Sequence, residues 1–119
     1  MTDPGWSDEL LKQQMEECER LGVAPVVPLL DDYCIITPGV YEGAAGDCVR
    51  YPFSPPNSGW WFITDLWDGR TETAHPVHLR HMIEHRPGIV RWLALPPGYV
   101  VSVDERGEAV TGPAFDPSV

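Results

Sequence analysis

Basic residues are scarce in this chain. Eight lysines and arginines stand against eighteen aspartates and glutamates in 119 residues, a formal net charge of −10. A field of that sign repels nucleic acid and anionic membrane and draws in basic partners, so neither nucleic acid nor membrane is an expected partner. Cysteine is sparse as well. Cys18, Cys34 and Cys48 are odd in number and far apart, with no Cys-x-x-Cys pair. That argues against a disulfide framework and against a cysteine zinc site, and reduced thiols suit a cytoplasmic protein. No apolar run is long enough to cross a bilayer, and none follows a basic N-terminus as a secretory signal would. Catalytic signatures are missing too. Ser54, Ser58 and Ser102 are not in a Gly-x-Ser-x-Gly elbow, and Gly43–Gly46 lacks the lysine and helix of a phosphate loop. No cysteine has an electropositive sequence context. Neither an enzyme nor a cofactor is expected.

What is present is an ordinary apolar content of 43% with five tryptophans, sufficient for one domain over residues 1–119 with its own core. The stretch from Asn57 to Gly69 holds three of those tryptophans between two turn signals, Pro55-Pro56-Asn57 and Asp68-Gly69. Trp60 to Thr64 has the β-branched and aromatic character of a strand. Trp60 and Phe62 would face one side, Trp61 and Ile63 the other. Both faces are apolar, which predicts a central strand covered on both sides.

Around that strand the pattern predicts two helices. Ser7 suits an N-cap, and Asp8 and Glu9 suit the first turn. Leu10, Leu11, Met15, Cys18 and Leu21 share one helical sector, and Gly22 closes the helix at 7–21. Pro76 opens a second helix running to about Arg86; Pro87-Gly88 interrupts it, with one more turn over Ile89–Leu93. Further strands are expected at 33–36, at 48–53 (with Pro52 at an edge or end), at 99–103 and at 108–111, the last two joined by an Asp104–Gly107 hairpin. The sheet and second helix would span 33–111, with 112–119 a flexible tail. The expected fold is α+β: a twisted, mainly antiparallel sheet with two helices packed against it.

All four histidines lie between His75 and His85. On a continuous helix His78, His81 and His85 would share a face, and imidazoles at such spacing could approach zinc, with Glu72 or Glu84 completing the set. The separation of i and i+7, about 10 Å along the axis, weighs against a shared ion. His81 and His85 lack the glutamate of a His-Glu-x-x-His site. No metal is expected, and a metal-binding protein or metal-dependent enzyme is the rival reading. An acidic adaptor subunit is another.

Acids and aromatics concentrate in turns. Trp60, Trp61 and Trp92 read as core, and Trp6 as folding back on the domain. Trp67, flanked by Asp65 and Asp68, has the composition of an interface anchor. Asp65, Trp67, Asp68 and Glu72 are the expected partner contacts, with Asp31, Asp32, Asp104 and Glu105 steering a basic partner from further away.

The order of motifs adds a family resemblance. Val49-Arg50-Tyr51 precedes a Pro/Asn turn and Ser58-Gly59-Trp60-Trp61-Phe62. Then come His78-Leu79, Arg86-Pro87 and Leu93-Ala94-Leu95-Pro96-Pro97-Gly98-Tyr99. Over about residues 33 to 105 this resembles a family of small bacterial immunity proteins with a Ser-Gly-Trp signature. The resemblance implies a cytoplasmic protein that neutralises a cognate toxin by binding it. Trp61-Phe62-Ile63-Thr64 followed by the loop Asp65–Gly69 departs from the family pattern, so no contact residue carries over.

Overall fold

A computed structural model describes residues 5–53, 56–104, 107–110 and 112–114. Helix α1 (Asp8–Leu21) begins at Ser7, whose side chain accepts from the Leu10 N–H, and ends at Gly22 in the left-handed conformation. Both caps are as the sequence predicts. The buried positions of α1 are Gln14 and Cys18, whereas Met15 is 43% exposed. Leu10, Leu11, Cys18 and Leu21 pack on the core as the sequence suggests, and Gln14 takes the inward place expected of Met15.

Six strands form one sheet: β1 (Tyr33–Ile36), β2 (Gly46–Arg50), β3 (Asn57–Thr64), β4 (His75–His78), β5 (Val100–Asp104) and β6 (Gly107–Val110). Their order is β4-β1-β3-β2-β5-β6, with β1 and β3 parallel and every other pair antiparallel. The fold is α+β, mostly antiparallel, as expected. Strand β2 stops at Arg50 and lies inside the sheet, so Pro52 falls beyond it and costs no ladder hydrogen bond.

Helix α2 covers only Leu79–His85. Pro76, Val77 and His78, expected to open this helix, instead belong to β4 and pair with β1. A 3-10 helix over Pro87–Trp92 follows α2 and carries Ile89, Val90 and Trp92 inward. It packs on α1, and the two cover one face of the sheet with Trp60, Phe62, Cys34, Cys48 and Val101 beneath. Trp6 folds back into this layer and donates from Nε1 to the Pro28 carbonyl at 2.7 Å.

Arg50 is fully buried at the centre of that layer. Its guanidinium donates to the carbonyls of Ser58, Val26, Leu93 and Leu95, tying β3, the segment after α1 and the end of the 3-10 helix together. It lies 4.7 Å from the Phe53 ring centroid and 5.7 Å from that of Trp60. Trp60 adds a bond from Nε1 to the Leu93 carbonyl at 2.9 Å. Burial pulls the Arg50 pKa down to about 10, against the opposing charge of Asp32. Arg50 thus stays charged at neutral pH, and backbone dipoles replace its water.

Gly59 shows how closely β3 is approached. Its φ is +86°, and a Cβ there would lie 2.2 Å from the Tyr51 carbonyl oxygen, so only glycine fits the start of this strand.

A candidate protein-binding face

The second face of the sheet corrects the sequence expectation. Strand β3 is central, but the described residues cover it on one side only. Trp60, Phe62 and Thr64 are buried, whereas Trp61 and Ile63 are half-buried, and no helix among the described residues packs over them. The alternation that buries Trp60 necessarily turns Trp61 outward.

Pairing places Trp61 beside Ile35 on β1 and Val49 on β2, and Ile63 beside Asp47. Tyr51, just past β2 and 40% exposed, meets Trp61 edge-on at 6.2 Å between ring centroids. Trp67 folds from the loop after β3 to lie 6.4 Å from Trp61. Its Nε1 donates to the Arg70 carbonyl at 3.0 Å and to Thr73 Oγ1 at 2.8 Å, which orients the indole. Tyr51, Trp61, Ile63 and Trp67 line an open cleft of about 300 Å³. Leu66 beside it is 70% exposed.

Acids border this apolar face. Asp47 shares the face and accepts from Ser102 Oγ at 2.8 Å. Asp65 is exposed where β3 ends, its N–H held by the Ala45 carbonyl at 2.9 Å. Asp68 caps its own turn through the Arg70 N–H and pairs with the Arg70 side chain at 2.7 Å, so its charge is partly spent locally. Glu72 is exposed in the 3-10 turn Thr71–Thr73. Asp104 is exposed at the end of β5, on the same end of the sheet as Asp65, because Gly46 pairs with both Thr64 and Val103. Glu105 lies outside the described residues, as do residues 115–119 of the expected tail.

The structure separates the remaining acids from these. Asp31 and Asp32 precede β1, at the opposite end of the sheet. Asp31 is exposed and pairs with Arg80 at 2.9 Å, which holds its carboxyl below the usual range. Asp32 is a correction. It is 4% exposed, its carboxylate accepts from the Leu29 N–H at 3.0 Å, and its charge faces Arg50 inside the protein. A carboxylate so enclosed contributes to the core and not to a surface.

His81 and His85 come together at 5.3 Å between ring centroids, but His78 does not join them. His78 is in β4, stacked on Tyr33 at 4.4 Å, with Nδ1 2.7 Å from the Asp31 carbonyl oxygen. His81 and His85 are on α2, where His85 stacks on Tyr41 at 3.9 Å. Helical spacing cannot bring His78 to the other two once the helix begins at Leu79. Among the described residues no group of three histidine, cysteine or acidic side chains is placed to hold a metal. No helix among them is long and apolar enough to cross a membrane. The three thiols are buried and free. Burial raises the pKa of each, Cys48 to about 12.

Sequence reasoning missed Tyr51 and Ile63 as neighbours of Trp67, and Asp47 as the neighbour of Ile63. The signal was available: in 47–51 and 61–63 the odd-numbered positions share one side of a strand. What the alternation could not supply was which side lacks a covering layer.

Residues 13–112 match the Imm33-like domain, and the chain belongs to this immunity-protein-like family. The match takes in most of α1, which the resemblance over about 33 to 105 leaves out. Comparisons with curated proteins and with solved structures return no match.

Proposed function

We propose that this member of the Imm33-like family is a cytoplasmic immunity protein that neutralises a cognate bacterial toxin by binding it through the open face of the sheet. The observation that carries the reading is the aromatic surface of Tyr51, Trp61 and Trp67, over which no helix among the described residues packs, bordered by Asp47, Asp65, Glu72 and Asp104. An apolar centre with a charged rim is the anatomy of a protein interface, and the rim selects a basic partner. Neutralisation is stoichiometric and uses no catalysis, metal or cofactor. Asp65 and Trp67 remain the central contacts. Trp61 and Tyr51 join them, Asp31 acts at most as a distant charge, and Asp68 serves the loop's own conformation.

The test is co-expression with any candidate toxin found encoded beside the gene, scored by growth and by pull-down. Wild type should rescue growth and co-purify with the toxin. A Trp61→Ala/Trp67→Ala double variant should do neither while remaining folded. Full rescue by that variant would move the binding site elsewhere on the molecule.

A further inference from the structure

We infer that the cleft between Tyr51, Trp61, Ile63 and Trp67 is a slot for one arginine side chain of the partner. The inference rests on the proposed function and deepens it by naming the group that enters first. Three of the four lining residues are aromatic, and aromatic ring faces attract a cation. The Trp61 and Trp67 rings are inclined at 48° to one another, and Tyr51 stands at 83° to Trp61. Differently inclined π-surfaces suit a guanidinium, which is planar, weakly hydrated and able to stack while its edge donates hydrogen bonds.

The acceptors for that edge are at the cleft's border. Asp47 is the cross-strand neighbour of Ile63, and Asp65 follows Ile63 by two residues. Among the described residues the chain's own guanidinium contacts with rings fall on Phe53, Trp60 and Trp92, and neither Trp61 nor Trp67 has one. Arg70, three residues beyond Trp67, is engaged by Asp68, and Arg50, next to Tyr51, is buried on the other face. The slot is also held in shape without a ligand, since two acceptors fix the Trp67 indole edge. Preorganisation of that kind spares the partner the cost of ordering the loop.

The charge pattern argues against a second copy of this chain as occupant. In a twofold contact the acidic border would meet itself, and the whole chain carries −10. An apolar side chain would fill the volume but leave the acids without counter-charge, so the arginine is the better complement.

The experiment needs no toxin. The full chain, with indole nitrogens labelled, is titrated by NMR with the blocked peptide acetyl-Gly-Arg-Gly-amide and with versions carrying citrulline, lysine or leucine at the centre. The arginine peptide should shift the Trp61 and Trp67 indole signals saturably and leave those of Trp6, Trp60 and Trp92 in place. Citrulline keeps the shape without the charge and should bind at least roughly fivefold more weakly, as should leucine. Trp67→Leu should weaken the arginine peptide by about tenfold, with the three core indoles reporting that the variant is folded. Asp65→Asn should weaken it less and reduce its salt dependence.

Equal or tighter binding of the leucine peptide would overturn the inference, as would indole shifts caused by self-association alone. So would no shift with millimolar arginine peptide. Each of these could occur while toxin neutralisation still depended on Trp61 and Trp67, which would leave the proposed function standing. An arginine-binding slot in a protein that fails to neutralise would do the reverse.

Discussion

Trp60 and Trp61 are adjacent in β3, and the structure assigns them opposite tasks. Trp60 is fully buried, bonds the Leu93 carbonyl through Nε1 and lies near the guanidinium of Arg50. Trp61 is half-buried on the open face, between Tyr51 and a loop tryptophan. On the inner face even a cation is held by the backbone, since Nε and Nη1 of Arg50 donate to main-chain carbonyls. The outer face carries aromatic surface with acids at its border and no covering element among the described residues. Rigidity on one side and availability on the other come from the same strand, because a buried backbone fixes the direction of the side chains that leave it outward.

The widest gap between the two faces should appear in stability. Trp60→Ala, and separately Arg50→Met, should each cost about 3–5 kcal/mol in urea unfolding. The first opens a cavity, and the second leaves buried carbonyls without their donor and removes the positive charge that Asp32 faces. A loss below about 1 kcal/mol for either would shift the organising centre away from this pair. Trp61→Ala with Trp67→Ala should reverse the pattern. Stability should fall by about 1 kcal/mol per site, while affinity for the toxin should drop by roughly 30-fold or more, the loss expected for hot-spot residues. Equal effects on both quantities would mean that the two faces are not functionally distinct.

The buried thiols probe the inner face by pH. Their pKa values are raised above 9.0, Cys48 to about 12, chiefly by burial. The folded state therefore holds these protons more tightly than the unfolded chain. Stability is whole below the unfolded thiol value and is lost as pH rises from 9.0 toward 12. For Cys48 the loss should be about 1.4 kcal/mol per pH unit in that window. Denaturant titration of the wild type against a Cys48→Ala variant should show a shallower alkaline decline in the variant; identical slopes would sink this account.

The smallest effect is expected at Asp31. Arg80 lowers its pKa, so their pairing is present above the unfolded carboxylate value of about 4 and is lost as pH falls through the lowered one. Both side chains are largely exposed, and exposed pairs contribute little. Asp31→Asn should leave neutral-pH stability and toxin affinity nearly unchanged. A large loss of affinity would extend the binding face to the far end of the sheet.

Much of the fold was readable from local chemistry. The helix ends at Ser7 and Gly22, the strand after Pro56-Asn57 and the turn before Tyr99 all depend on residues within a few positions of one another. The second helix was less legible. Val77 pairs with Cys34 and Pro76 with Ile35, so edge pairing with β1 overrode a sequence that also suits a helical first turn. The site was half legible: Asp65 and Trp67 stood out by composition, whereas Tyr51 and Asp47 joined them only through pairing of β2 with β3. Asp32 was misplaced because an aspartate in a turn looks the same whether its carboxylate points to water or inward.

The stretch from Asn57 to Gly69 divides between what sequence alone determined and what required the tertiary structure. Alternation by itself placed Trp60 with Phe62 and Trp61 with Ile63, since the strand's period is a property of the backbone. Acidity, the missing catalytic signatures and the aromatic loop were also properties of the chain alone. Which of the two apolar faces receives the helices was not. That choice depends on Arg50 reaching Val26, Leu93 and Leu95 across the fold, contacts between residues far apart in sequence that no local pattern encodes. Only once those contacts form does one tryptophan become core and its neighbour become surface.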